Sequence, residues 1–202
     1  GMIFFALTIA IAHRLANPVV VNSPWSRERW ALWIAAMVVL VQIFIGGWVR
    51  HRGAGLACGI DWITCGPEGA WPISSAPGRL HMFHRFVGAF VLVTCVWATQ
   101  KGRAPRAHAA DLTWLARLPV ALCVVQILLG ILTVATGRSV GLVVAHTGTA
   151  ALLWASLVIL HLRFGEATSS PVDVAVTVAP EQHEGPIFAR LLDSAQWRAP
   201  TR

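Results

Sequence analysis

Two histidines lie inside long apolar segments of the chain, where an ionisable group is costly and is therefore a candidate for function. His84 follows the start of one such segment by a few residues, and His146 follows the start of another in the same way. If both segments are helices that cross a membrane in the same direction, a rise of about 1.5 Å per residue brings the two imidazoles to nearly the same depth. Two imidazoles level with each other on different helices of a bundle form the axial ligand pair of a bis-histidine haem. The pattern therefore predicts that His84 and His146 hold a haem iron.

Small and basic residues near this pair suit a porphyrin. Ala145 and Gly148 lie beside His146, and Gly88 lies one turn after His84, so that all three leave room for a flat group. Buried haem propionates need cations where they emerge from the bundle. Four arginines near the outer boundary are predicted to provide them: Arg50, Arg52, Arg79 and Arg85.

Other roles for these histidines remain open at this point. Either of the pair could simply hydrogen-bond a neighbouring backbone carbonyl. A zinc or copper site would need further ligands, and His81 lies one turn before His84 on the same face, but no carboxylate or thiolate matches it in depth. The histidines at segment ends or in loops are predicted to be solvated, namely His13, His51, His108 and His161.

Cys58 and Cys65 lie seven residues apart in the loop between the first two long apolar segments. On the oxidising side of a bacterial membrane, two nearby cysteines are expected to form a disulfide. A structural staple and a redox-active pair are both open interpretations, and a short exposed loop gives some support to a labile bond. Cys95 and Cys123 lie within apolar segments and are predicted to be packing residues.

The composition requires a membrane to position these residues. The chain has 202 residues, of which 56% are hydrophobic and 12% charged, and its mean hydropathy is +0.64. This balance excludes an ordinary soluble domain, a disordered chain, a coiled coil and a secreted disulfide scaffold. A bilayer core of about 30 Å takes roughly 20 helical residues. Four segments are long enough, at about residues 30–49, 82–100, 114–135 and 142–162, and they predict an all-α polytopic membrane protein with a four-helix transmembrane bundle.

The remaining segments complete the predicted organisation. Residues 1–16 are predicted to be a partial transmembrane helix, because the apolar stretch is too short to span, and this leads us to expect that the chain is part of a longer protein. Residues 17–29 are predicted to be a cytoplasmic linker, 30–164 the haem-binding bundle, and 165–202 a polar, disordered cytoplasmic tail.

Basic residues set the predicted orientation. The net charge is +7, and the positive-inside rule explains this excess better than binding of nucleic acid does. The end predicted to be cytoplasmic carries Arg14, Arg27, Arg29, Lys101, Arg103, Arg106, Arg117 and Arg163, and the other end carries Arg50, Arg52, Arg79, Arg85 and Arg138. The loop with Cys58 and Cys65 is therefore expected outside a bacterial inner membrane, and the tail inside.

A short pattern recurs along the chain. Gln42 and Gly46 lie near the outer end of the first span, and Gln126 and Gly130 lie near the outer end of the third. Each of these spans is followed by one that carries a histidine. This predicts two duplicated helical hairpins related by a pseudo-twofold axis, with the glycines allowing close helix approach.

With these motifs in view, the chain resembles the haem A synthase family. The matching segments, in order, are residues 42–47, 49–58, Asp61-Trp62 with Cys65, His84-Arg85, 126–133 and His146. The resemblance covers roughly residues 30–162 and implies eight spans in two similar halves, which convert haem O to haem A by oxidising a ring methyl group. It also implies that His84 and His146 are axial haem ligands and that Cys58 and Cys65 form the outer disulfide.

The chain departs from the family pattern at two places. In the catalytic half of the family a glutamate stands three residues before the ligand histidine, and here that position is His81, so the catalytic residue is unknown. The loop also lacks the prolines common around Asp61 and Trp62. With the short leading helix, these departures are typical of a C-terminal half that holds haem b. A missing N-terminal half would bind haem O, or two copies would self-associate to rebuild both halves.

Three hypotheses for function follow. The first is an oxidoreductase of the haem A synthase family, with haem b as cofactor and haem O as substrate. Its expected partners are the lipid bilayer, haem O synthase or oxidase assembly factors. The second is a non-catalytic b-type electron-transfer or haem-handling module in oxidase assembly, which the missing glutamate favours and the Cys58 loop disfavours. The third is a structural membrane protein without a cofactor.

Overall fold

The computed structural model describes residues 1–16, 25–61, 64–65, 73–101 and 110–167. Within these ranges the chain folds into α-helices and one short 3-10 helix, Ala54–Leu56. The α-helices are Met2–Ala16 (α1), Arg27–His51 (α2), Ala76–Lys101 (α3), Ala110–Ala135 (α4) and Val140–Ala167 (α5). The prediction of an all-α fold is confirmed. Trp62 and residues 17–24, 102–109 and 168–202, which include His108 and most of the predicted linker and tail, lie outside the described residues.

Four helices are long and apolar enough to cross a membrane: Arg27–His51, Ala76–Lys101, Trp114–Ala135 and Val140–Phe164. They coincide with the four predicted spans, so the prediction of a multi-pass membrane protein is confirmed. α1 is apolar but has only 15 residues.

All four spanning helices begin earlier than hydropathy indicates, and polar residues cap two of them. Ser26 accepts a hydrogen bond from the backbone N–H of Arg29 at 3.3 Å, so α2 starts within the predicted linker. Ser75 accepts from the backbone N–H of Gly78 at 3.3 Å, and α3 starts six residues before the apolar stretch does. Pro77 suits this first turn, since its missing N–H has no partner there in any helix.

The four long helices form a closed ring. α2 and α4 each contact both α3 and α5, so α3 and α5 lie diagonally across the bundle from each other. α1 contacts α5. The α4–α5 turn is tight: the N–H of Arg138 donates to the carbonyl of Thr133 at 2.8 Å, with Gly137 and Arg138 at φ of 63° and 70°.

The main core fills the end of the bundle away from this turn. Its largest buried side chains include Leu32 on α2 and Leu157, Leu160 and Phe164 on α5. Cys95 and Cys123 are buried in the same core, as their predicted packing role requires. This core ties all four helices together at one end.

Side chains are less buried in the next layer of the bundle. No side chain in residues 124–152, which make the adjoining halves of α4 and α5 and their turn, is buried, and none is buried in residues 83–90 of α3, while α2 buries Ile45. A second small core then follows under the loop after α2, formed by Cys58, Ile73 and Met82. Since protein interiors normally pack at high density, the layer between the two cores is loosely packed on three of its four helices.

Candidate functional site

His84 and His146 lie in the loosely packed layer. His84 is eight residues into α3 and His146 is six residues into α5, which places them at roughly 12 and 9 Å along their helices. Because α3 and α5 are diagonal neighbours that run in the same direction, the two imidazoles come from opposite sides of the bundle at similar depth.

Each imidazole is held against a glycine of an adjacent helix. A Cβ added to Gly46 on α2 would lie 3.2 Å from Cε1 of His84, and one added to Gly130 on α4 would lie 3.3 Å from Cε1 of His146. Nδ1 of each ring is buried and has no hydrogen-bond partner, while each side chain as a whole stays partly exposed. Both rings therefore bury their Nδ1 edge at a glycine and keep accessible surface elsewhere.

The glutamine of each repeat lies one turn from that glycine. Nε2 of Gln42 donates to the backbone carbonyl of His84 at 2.9 Å, and a Cβ on Gly88 would lie 3.1 Å from the same Nε2. Oε1 of both glutamines is buried and unpaired. The Gln-x-x-x-Gly repeat thus marks the two places where a neighbouring helix meets a histidine.

The four predicted propionate-binding arginines lie near the end with the disulfide loop, and two of them hold that loop. Arg79 donates to the carbonyls of Ile73 and Ser74 at 3.1 and 2.5 Å. Arg85 donates to the carbonyls of Asp61 and Gly59. Arg50 and Arg52 lie exposed at and just after the end of α2.

Arg138 is a further cation at this end that the sequence reasoning did not assign to the site. Its Cδ lies 3.6 Å from the position of a Cβ on Gly55, in the 3-10 helix that follows α2. It adopts a left-handed conformation, which costs a non-glycine residue energy and is worth noting near a candidate site. The repeat offered a signal, because Arg138 follows the third span as Arg50 and Arg52 end the first.

The outer loop is joined to α3 through its cysteines and His81. Cys58 and Cys65 form a disulfide with their Cα atoms 4.1 Å apart. The backbone N–H of Cys58 donates to Nδ1 of His81 at 3.4 Å, and His81 is only 4% exposed. A Cβ on Gly78 would lie 2.9 Å from Sγ of Cys65 and 2.6 Å from Oγ of Ser75, so only glycine allows this approach. At the position where the related family has glutamate, this chain has a buried imidazole that binds the loop.

The predictions of solvated histidines have different outcomes. His51 is exposed, as predicted. The prediction for His161 is wrong: it is partly buried, with Nδ1 3.2 Å from the carbonyl of Arg29 and its ring centroid 5.4 Å from that of Trp25. Hydropathy places His161 at a span end but does not show that α2 and α5 meet there.

A metal site of another kind has no set of ligands in the described ranges. No group of three or more His, Cys, Asp or Glu side chains converges there. Zinc and copper usually take three or four such ligands, whereas a haem iron needs two axial ligands from the protein. The donor set fits haem better than a bare metal ion.

Comparisons with known proteins identify the family of the chain. The sequence model of the COX15-CtaA family, described as a cytochrome oxidase assembly protein, matches residues 1–158. The heme A synthase of Bacillus licheniformis is 29% identical over 143 residues, which are 68% of this chain and 46% of that protein. The heme A synthase of Halalkalibacterium halodurans is 34% identical over 116 residues, or 57% and 38% of the two chains. That of Rhizorhabdus wittichii is 35% identical over 137 residues, or 63% and 38%. The chain spans less than half the length of these relatives.

Proposed function

Because the chain belongs to the COX15-CtaA family of cytochrome oxidase assembly proteins, we propose that it acts in haem A synthesis as a four-helix half that holds haem b between His84 and His146. The whole reaction is the oxidation of a methyl group of haem O to form haem A. The three relatives compared above are heme A synthases of more than twice the matched length, so the second half is proposed to come from another segment or another copy.

The observation that carries the proposal is the loosely packed layer with a histidine on each side. Residues 124–152 bury no side chain there, although α4 and α5 pack tightly at their other ends. Both rings direct a buried, unpaired Nδ1 toward a neighbouring helix. A haem iron takes one nitrogen of each imidazole, and both side chains keep part of their surface accessible for it. The residues present therefore fit a haem with two axial imidazoles.

The chain's basic residues suit the polar edge of this group. Arg50 and Arg52 are exposed at the outer end of α2 and are free of the loop contacts that engage Arg79 and Arg85. A guanidinium has five N–H donors, so Arg79 and Arg85 can bind a carboxylate and still hold backbone carbonyls. We propose all four as the cations for the propionates, with Arg138 as an addition.

The proposed role of this half is electron transfer rather than methyl oxidation. Haem b supplies reversible one-electron chemistry when it is bound. His84 and His146 would hold the iron of this haem. His81 is buried and bonded to the loop, so this chain presents no carboxylate at the position of the family glutamate. The acid and the haem O site are therefore proposed for the other half.

The proposed setting is a bacterial inner membrane with the disulfide loop outside. Haem O is the proposed substrate of the complete protein, and haem O synthase or oxidase assembly factors are its proposed partners. Reduction of the Cys58–Cys65 disulfide distinguishes its two proposed roles. Reduction of a redox-active pair would change the redox state of the haem, whereas reduction of a structural staple would change only the conformation of the loop.

Haem binding by the purified chain tests this proposal. We expect the chain, expressed with haem supplementation, to show a Soret band and the spectrum of a low-spin, six-coordinate b-type haem. His84→Ala and His146→Ala should each lower the haem-to-protein ratio several-fold, because one axial ligand is lost. His51→Ala is the matched control, since His51 is exposed on α2. A chain without a Soret band, or His84→Ala and His146→Ala variants with unchanged haem content, would refute the proposal.

A second candidate function is a b-type electron-transfer or haem-handling module without haem A synthesis. The burial of His81 at the glutamate position favours it. The two candidates differ in product: the complete reading frame, expressed with a source of haem O, should yield haem A or its hydroxylated precursor on extraction and chromatography. Recovery of haem O alone, with haem b still bound, would support the second candidate.

A further inference from the structure

Gly46 and Gly130 show the same contact in the two hairpins. In each hairpin the Cε1 edge of the histidine ring occupies the space next to a glycine Cα, at 3.2 and 3.3 Å from the position of its Cβ. A real Cβ at such a distance would require the ring atom to move away by a few tenths of an ångström. Gly47 and Gly148 differ, because a Cβ on either would meet nothing within 4 Å. The close approach is thus specific to the two glycines that face the rings.

Gln42 adds a second point of attachment one turn away. Its Nε2 donates to the carbonyl of His84 itself, and not to another residue of α3. Gly88 makes room for that amide, since a Cβ there would lie 3.1 Å from Nε2. α2 therefore contacts the ring of His84 with Gly46 and the backbone of His84 with Gln42.

The contact with Gly46 and the hydrogen bond from Gln42 together restrict the His84 ring more than either contact alone would. The bond to the carbonyl holds the backbone of His84 in place along α2, and the glycine limits the rotation of the ring about its side-chain bonds. Oε1 of Gln42 and Oε1 of Gln126 are both buried and unpaired, so the amides are placed by helix packing and not by solvent. At His146 the glycine contact recurs, with Gly130 in the place of Gly46.

We propose that the two Gln-x-x-x-Gly segments are cradles that set the orientation of the two axial imidazoles and so tune the haem of this half. This inference rests on the proposed haem site and assigns Gly46, Gly130 and Gln42 as positioning residues. The angle between the two imidazole planes governs the electron paramagnetic resonance signal of a low-spin ferric haem. It also contributes to the midpoint potential, because the axial ligands and the residues that contact them influence the haem iron. The cradles therefore act on the spectrum and potential, and only indirectly on haem content.

Glycine-to-alanine substitutions test the ring contacts. Gly46→Ala and Gly130→Ala should each shift the largest g value of the ferric haem in electron paramagnetic resonance and shift its midpoint potential, while most haem is retained. Gly47→Ala and Gly141→Ala, where an added Cβ would meet nothing within 4 Å, are the matched controls and should keep wild-type values. Wild-type g values and potentials in both Gly46→Ala and Gly130→Ala, or equal shifts in the controls, would overturn the proposal.

Gln42→Leu tests the second attachment without adding bulk at the ring. Loss of this hydrogen bond should shift the largest g value of the ferric haem and its midpoint potential, whereas Gln100→Leu, which alters an exposed glutamine near the far end of α3, should not. If Gly46→Ala does not fold, this comparison decides the question, and wild-type g values and potential in Gln42→Leu would overturn the proposal. A wild-type chain that binds no haem would instead refute the haem site itself, so the two failures are distinguishable.

Discussion

At the scale of single residues, the side chains of this chain divide between those that face the open layer and those that hold the structure around it. His84 and His81 are three residues apart on one helix, yet their surroundings differ. His84 packs against a glycine and keeps part of its surface accessible, while His81 is buried and accepts the N–H of Cys58. The same side chain is thus a candidate ligand in one case and an anchor for a disulfide loop in the other.

The anchoring role of His81 predicts how fast the disulfide is reduced. His81→Leu should leave the buried N–H of Cys58 without an acceptor, at a cost of about 1–3 kcal/mol. The loop should then open more often, and dithiothreitol should reduce the Cys58–Cys65 bond roughly tenfold faster, measured by maleimide gel shift. His81→Asn should restore part of the protection, since its side-chain oxygen can accept the same bond. Equal reduction rates for His81→Leu and the control His51→Leu would contradict this role.

At the scale of helices, packing is uneven along each element. Leu157 and Leu152 are both on α5, but Leu157 is 0% exposed in the main core and Leu152 is 58% exposed. In a bilayer the exposed side chain exchanges protein contacts for lipid contacts, so burial stabilises through close packing rather than through escape from water. The tightly packed end of the bundle therefore carries its stability, and the loosely packed layer is left for function.

This difference predicts the effect of truncating each leucine. Leu157→Ala should create a cavity and lower the free energy of unfolding by ~2 kcal/mol, since its neighbours can collapse only in part. Leu152→Ala on the same helix should change it by less than about 0.5 kcal/mol. Thermal or denaturant unfolding in detergent measures both. A loss in Leu152→Ala equal to that in Leu157→Ala would show that the two ends of α5 do not differ in this way.

At the scale of the whole molecule, the two ends of the bundle differ. One end has the disulfide loop, Arg138 and the four arginines proposed for the propionates, and the other has the main core. The distribution of basic residues predicts that the loop end is outside the cytoplasm. Orientation matters for function, because a disulfide between Cys58 and Cys65 persists only on the oxidising side of the membrane. The α4–α5 turn with Arg138 must lie on that same side, since an even number of spans separates it from the loop.

Reporter fusions check the predicted orientation. Alkaline phosphatase should be active when fused after Arg138 and inactive when fused after Lys101, because it folds only outside the cytoplasm. Green fluorescent protein should give the opposite result at the same two positions. Fluorescence after Arg138 together with phosphatase activity after Lys101 would invert the topology and would place the cysteine pair in a reducing compartment.

Much of this architecture depends on local properties of the chain, and these could be predicted from the sequence alone. Hydropathy over windows of about 20 residues located the four spans, and the helical rise placed His84 and His146 at similar depths. The repeat of Gln42 and Gly46 as Gln126 and Gly130 indicated two related hairpins. Spans can be predicted in this way because membrane insertion depends on the composition of one segment at a time.

Only the tertiary structure decided which residues meet. Hydropathy did not show that Gln42 bonds the backbone of His84, that Gly46 receives its ring, or that His161 reaches the carbonyl of Arg29. Nor did it show the loosely packed layer between two cores. Such contacts join residues that are dozens of positions apart, and they depend on which helices are neighbours and how each is rotated. The sequence by itself determined the depth of each group in the membrane, and the packing of the helices decided its surroundings, because depth is a property of one helix and contact is a property of two.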